Sequence, residues 1–358
     1  MYLGCQSRSE SVATTALADN LARIHVGWDE AHNLRSALLR ILVFAIDQLE
    51  STEQRRALAN YSLVAKSWTG PAQSLLFGHL VFMDESAVAR WLALSDVMLQ
   101  SPAIDHHNAE SVYIDGRGGQ VTNVATDHVL RRVRGIKRLR IDFVNNLSTS
   151  VFTYPHLDTL TSLTLHIKLP LTYFHGARNR WVDPIRINLP FSLHHFVLGG
   201  SYHPLAFIHA VFSNAIRTLE SLTTTMQAMQ SPSQRALMND SISRLEALRS
   251  FVDFQRSAED FVGLLARLPS TIEEISTSFV DRNRLRLLTA ALGQPHLGRL
   301  RSLRFMYMPR GELLSTEAGR DFIAFCRDRR INIVHGHALD YLREEHALAS
   351  NEQLKSFV

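Results

Sequence analysis

Ile136-Lys137-Arg138-Leu139-Arg140-Ile141 and Leu160-Thr161-Ser162-Leu163-Thr164-Leu165 share one frame, apolar-x-x-apolar-x-apolar. The frame returns at Leu193-His194-His195-Phe196-Val197-Leu198 and at Leu300-Arg301-Ser302-Leu303-Arg304-Phe305. Weaker copies are Leu219-Glu220-Ser221-Leu222, Leu245-Glu246-Ala247-Leu248 and Ile272-Glu273-Glu274-Ile275. Its second apolar position falls at 139, 163, 196, 222, 248, 275 and 303, in steps of 24, 33, 26, 26, 27 and 28. Val112 lies 27 residues before this series and Ile331 lies 28 after it. A step of roughly 20–29 residues accommodates one short strand and one helical segment. Units of that kind cannot bury an apolar face alone, so they stack on one another.

The intervening segments carry helix signals. Ser257 precedes Glu259 and Asp260, and Phe261, Leu264, Leu265 and Leu268 then form one apolar face. Asp281 is placed to cap a helix carrying Leu285, Leu288 and Leu292, with Gly293 as its stop. Thr316-Glu317 opens another helix with Phe322, Phe325 and Cys326, and Pro204 one with Leu205, Ile208 and Phe212. A doubly wound α/β enzyme would also alternate strand and helix, but neither G-x-G-x-x-G nor G-x-x-x-x-G-K-[ST] occurs.

Residues 111–338 therefore resemble the leucine-rich-repeat family. The resemblance implies an α/β, right-handed solenoid with a curved parallel sheet and outer helices, and a role in binding macromolecules. The Asn or Cys that usually follows each strand is missing, with Lys168 and Met308 in that place in two copies. The side-chain ladder that makes such repeats regular is accordingly expected to be absent. The 33-residue step holds an inserted loop, His175-Gly176-Ala177-Arg178-Asn179-Arg180-Trp181.

Upstream, Leu34, Leu38, Leu39, Leu42 and Ile46 recur at helical spacing, and Thr52-Glu53 can cap a second helix through Leu58 and Leu63. The run Ser62-Leu63-Val64-Ala65-Lys66-Ser67-Trp68, with Pro71-Ala72-Gln73-Ser74-Leu75-Leu76-Phe77 after it, resembles the second half of the F-box in fungal F-box proteins that carry leucine-rich repeats. The first half departs from the family's Leu-Pro-x-Glu opening, reading Leu34-Arg35-Ser36-Ala37. The resemblance implies a small three-helix bundle that docks on a Skp-type adaptor of a cullin ubiquitin ligase. Its contacts would be Leu34, Leu38, Leu39, Leu42, Val64 and Trp68, with the repeats recruiting a substrate protein. The alternative is a non-ligase interaction scaffold in which the bundle only caps the open end of the repeats. The expected order is an extension, flexible or helical, over 1–32, the bundle over 33–78, and a connecting helix and loop over 79–110. The repeats then fill 111–338 and a helical cap or tail fills 339–358. Trp91, at helical spacing with Val88 and Leu92, is expected in the core of the connecting helix.

Composition is that of an ordinary globular protein. The net charge is +4 with 46% hydrophobic residues, which gives no footing for nucleic acid as the partner. Two cysteines are too few for a disulfide framework, and the apolar run 37–46 is too short to span a bilayer. A cytoplasmic or nuclear protein without a membrane partner is expected. The 17 histidines include two adjacent pairs, His106-His107 and His194-His195, whose members point to opposite strand faces. No metal site, cofactor site or nucleophile–base pair is predicted, and the chain is not expected to be an enzyme. Period-2 alternation turns Arg138, Arg140, Asp142, Ser162, Thr164, His166, His195, Val197, Ser221, Thr223, Glu274, Ser276, Ser302 and Arg304 toward the partner. Of these, Arg138, Arg140, His166, His195, Glu274 and Arg304, with Arg178, Arg180 and Trp181 of the inserted loop, are the candidate contacts.

Overall fold

In a computed structural model the chain divides into two compact units, Met1–Leu76 with Asn351–Val358, and Phe77–Ser350. The structure describes residues 78–98, 108–117, 120–144, 147–167, 187–200, 205–226, 232–253, 258–278, 285–306, 313 and 315–335, all in the second unit. Residues 33–77 of the expected helical bundle, its six adaptor-contact residues, and Arg178, Arg180 and Trp181 lie outside the described residues.

Ten strands form one parallel sheet in strictly sequential order: β1 (His79–Phe82), β2 (Ser111–Asp115), β3 (Arg138–Asp142), β4 (Ser162–Ile167), β5 (His195–Gly200), β6 (Ser221–Met226), β7 (Ser250–Asp253), β8 (Glu274–Thr277), β9 (Ser302–Phe305) and β10 (Asn332–His335). Among the described residues β1 pairs only with β2 and β10 only with β9, so the sheet does not close on itself. Seven helices are described: α1 (Glu85–Met98), α2 (Asn123–Arg132), α3 (Leu205–Asn214), α4 (Pro232–Ser243), α5 (Ala258–Leu265), α6 (Leu285–Leu292) and α7 (Glu317–Asp328). Two 3-10 segments, Thr149–Thr153 and Pro155–Leu157, stand between β3 and β4. This repeating strand-and-helix order is compatible with a solenoid.

The register aligns one apolar row from strand to strand: Leu80, Val112, Leu139, Leu163, Phe196, Leu222, Phe251, Ile275, Leu303 and Ile333. Two residues on, Phe82, Ile114, Ile141, Leu165 and Leu198 form a second inward row, all buried. Both rows pack with the helix residues Val129, Phe212, Leu264, Leu288 and Phe322 into one core. Aromatic contacts key helices to strands, with ring centroids of Phe82 and Trp91 5.6 Å apart and those of Phe305 and Phe322 5.9 Å apart. Trp91 is core, as its spacing predicts. So are Phe261, Leu264, Leu265 and Leu268, and Thr316 caps α7 by accepting the Gly319 N–H at 3.1 Å. Cys326 is buried, and burial pushes its thiol up to about 12, which keeps it protonated and inert.

Three framing expectations need correction. The sheet begins a strand before residue 111, because His79–Phe82 pairs with β2. In the seventh strand Phe251, not Leu248, stands in the apolar row; Leu248 takes the position three residues earlier. In the last strand Ile333, not Ile331, is in register with Leu303.

Adjacent units are tied at the N-terminal edge of the sheet by a regular backbone pattern. One carbonyl accepts two successive N–H groups of the next unit: Glu110 from Lys137 and Arg138, Lys137 from Thr161 and Ser162, and onward to Glu273 from Arg301 and Ser302. A side-chain ladder also exists, at a place other than that of the missing Asn. The hydroxyls of Thr159, Thr218 and Thr271 donate to the carbonyls of Ile136, Leu193 and Leu248 at 3.0, 2.9 and 2.7 Å. Each threonine immediately precedes its own frame and each carbonyl opens the frame before it. The brackets therefore join β3 to β4, β5 to β6 and β7 to β8. Pro155-His156-Leu157 and Pro295-His296-Leu297 are matching 3-10 turns. In each, the His Nε2–H donates to a carbonyl at the end of an earlier helix, Leu130 at 2.6 Å and Leu265 at 2.9 Å.

Candidate functional site

The sheet face opposite the core presents two rows. One runs Ser111, Arg138, Ser162, His195, Ser221, Ser250, Glu274, Ser302 and the other Tyr113, Arg140, Thr164, Val197, Thr223, Val252, Ser276, Arg304. A third short row closes the C-terminal ends of β2 to β5: Asp115, Asp142, His166 and Gly199.

The second and third rows meet in a connected polar corner on β2, β3 and β4. Asp142 is its centre. Its Oδ2 accepts from Arg140 Nε at 2.9 Å and from Tyr113 Oη at 3.0 Å, with Arg140 Nη2 at 2.7 Å. Its Oδ1 lies 2.7 Å from His166 Nδ1. Burial by itself would raise the Asp142 carboxyl, but the hydrogen bonds from His166 and Arg140 outweigh it and hold the group at about 2. An ionised carboxylate only accepts, so Nδ1 of the His166 ring carries the proton and donates it to Asp142. Phe143 stacks on that ring and takes a positive φ of 58°, a conformation uncommon for a bulky residue.

Asp115 repeats the arrangement one strand over. Its carboxylate accepts from the backbone N–H of Arg117 at 2.9 Å, from Arg117 Nε at 2.8 Å and from Tyr113 Oη at 3.1 Å. These bonds outweigh burial and lower its pKa. The single Tyr113 proton is thus offered to two carboxylates, and burial, with the Asp142 charge next, pushes the phenol upward. The Arg140 guanidinium lies over the Tyr113 ring, 5.0 Å from its centroid. Gly116 permits the close approach of the two strand ends. A Cβ there would stand 2.8 Å from Val144 Cα and 2.9 Å from the Phe143 carbonyl oxygen.

The corner holds Arg140 and His166 of the predicted contacts, with Arg138 on the same strand, where it pairs with Glu110 at 3.3 Å. His195, Glu274 and Arg304 are not brought to it. His195 is two strands from Arg138, about 10 Å, and Arg304 is six strands from Arg140, about 29 Å at the usual spacing. Asp142, expected outward and solvated, is instead buried, because Arg140, Tyr113 and His166 close around it. Thr223 and Ser276, also expected to be exposed, are buried as well. Tyr113, Asp115 and Arg117 were not among the predicted contacts. Their signal is in the sequence: Val112-Tyr113-Ile114-Asp115 and Leu139-Arg140-Ile141-Asp142 repeat the same pattern 27 residues apart.

Among the described residues no cluster of three His, Cys, Asp or Glu could hold a metal ion, and no helix is long and apolar enough to cross a membrane. The corner can offer hydrogen bonds and an aromatic–guanidinium stack. Compared with known proteins, the sequence matches no family model and no curated protein.

Proposed function

We propose that this chain is a protein-recognition subunit of the F-box type. In this reading residues 33–78 dock on a Skp-type adaptor of a cullin ubiquitin ligase, and a leucine-rich-repeat solenoid presents a substrate protein. The observation that carries it is the one-sided sheet. One face is sealed by helices into the core, while the other bears Tyr113, Arg140 and His166 in fixed orientations across three strands. Fixed side chains lose little conformational freedom on binding, and Tyr and Arg are enriched among residues that dominate interfaces. The adaptor half of the proposal rests on the resemblance of residues 62–77 to the F-box.

Co-purification of the full chain with a Skp-type adaptor tests it. The wild type should retain adaptor, and a Leu38→Asp, Leu42→Asp double variant should lose it. Equally weak capture by both would refute the ligase role and leave a recognition scaffold without it.

A further inference from the structure

We infer that the β2–β4 corner recognises an unmodified polypeptide segment offering neutral acceptors and an aromatic or apolar side chain, not a phosphorylated one. The inference rests on the recognition role proposed above and specifies the partner's chemistry.

Charge pairing carries the argument. A phosphate-binding arginine cluster keeps its N–H groups available for a doubly charged oxyanion. Here both arginines already spend their Nε and one Nη on a neighbouring carboxylate. Arg117 lies 2.6 Å from Asp115 through Nη2, and Arg140 lies 2.7 Å from Asp142. The formal charges of these two pairs cancel. An incoming phosphate would also face Asp115 and Asp142, both of which stay ionised because their pKa values are lowered. Displacing Asp142 would leave a carboxylate that is 3% exposed without its cationic partner, which is costly.

What the corner does present suits a neutral segment. The Tyr113 ring and the guanidinium lying over it, 5.0 Å from its centroid, form a pair whose charge is compensated by Asp142. An aromatic or apolar side chain can pack there without stripping water from a free ion. Beside that pair, Arg117 is 64% exposed, giving N–H groups for backbone carbonyls.

The test uses the full chain and two probes, a pool of short unmodified peptides and the same pool phosphorylated on serine, threonine and tyrosine. The wild type should capture unmodified members in preference, and Arg140→Ala should weaken that capture about tenfold, the loss expected for one dominant interface residue. Asp115→Asn, at the pair whose arginine is exposed, and the Asp115→Asn, Asp142→Asn double variant should both gain phosphopeptide binding. Enrichment of phosphorylated members by the wild type would overturn the inference. So would an absence of captured unmodified peptides, or no gain in the Asp115→Asn variant, which leaves the centre of the corner intact. None of these readouts involves the adaptor, so failure here and failure of the ligase reading are separately visible.

Discussion

The corner on β2–β4 and the middle of the sheet on β6–β8 use the same backbone and invert its polarity. In the corner the second inward row is Ile114, Ile141 and Leu165, and polarity lies outside, in Tyr113, Arg140, Asp142 and His166. In the middle the same inward row reads Thr224, Asp253 and Thr277, while the outer row is Thr223, Val252 and Ser276. Asp253 is 1% exposed and accepts from Thr224 Oγ1 at 3.1 Å. Two carboxylates of nearly equal burial thus differ by one register position. Both end their strands, but Asp142 lies on the outer face and organises a surface, whereas Asp253 lies in the inward row and organises what lies beneath. Shape alone sets neither role; the parity of the residue within its strand does.

The largest expected effect tests that inversion. Asp253→Ala removes an interior acceptor from buried donors and should cost about 3 kcal/mol, read by denaturant unfolding. Hydrogen exchange should rise first on β6–β8 and leave β2–β4 protected. A loss below about 1 kcal/mol would mean that the carboxylate is not an interior partner and the contrast would collapse.

Asp142→Asn should cost on the order of 2 kcal/mol at neutral pH. Its folded value of about 2 lies below the reference of 3.8, so its contribution is complete above 3.8 and fades as the pH falls toward 2. The wild type should therefore lose its advantage over the variant through that window. A stability difference constant from pH 6 to about pH 2 would contradict the ion-pair geometry.

Smaller still are the threonine brackets, which occur in both regions. Thr159→Val, Thr218→Val and Thr271→Val should each cost about 1 kcal/mol, the worth of one hydrogen bond. Because they lie far apart their costs should add, and equal values in corner and middle would show that the two regions differ only in polarity. Last, Arg117→Ala should move the unfolding midpoint least, since the Arg117 side chain is 64% exposed and the buried Asp115 keeps the Tyr113 hydroxyl and the backbone N–H of residue 117 as donors. A clear shift would make Arg117 part of the scaffold of the corner and not of its surface.

Why the middle was hard to read from sequence follows from the same inversion. The frame needs three apolar positions, and in Leu248-Arg249-Ser250-Phe251-Val252-Asp253 the third is an aspartate. The competing Leu245-Glu246-Ala247-Leu248 keeps the two leucines and so draws the frame three residues early. Alternation cannot separate Ile331 from Ile333, which share a parity. The first strand is hidden because Phe77-Gly78-His79-Leu80-Val81-Phe82 fits the frame, yet Phe77 also completes the F-box-like run. By contrast Leu139, Leu163, Phe196, Leu222, Ile275 and Leu303 were legible because each keeps an apolar residue three positions earlier. Outward direction at Arg140 and His166 was legible for the same reason. The clustering around Asp142 was not, since it depends on which strands are neighbours in register.

The brackets at Thr159, Thr218 and Thr271 fall on every second joint from β3 to β8. Mechanically they stiffen β3/β4, β5/β6 and β7/β8, and the Thr224–Asp253 bond ties β6/β7 as well. Pulled from its ends, such an array should keep β5–β8 together as one block, and optical-trap extension that parts β6 from β7 first would reject that coupling. Bending would likewise concentrate outside the two tied blocks, β2–β4 and β5–β8. The corner on β2–β4 would then travel as a rigid plate while the rest of the face adjusts to whatever is laid across it.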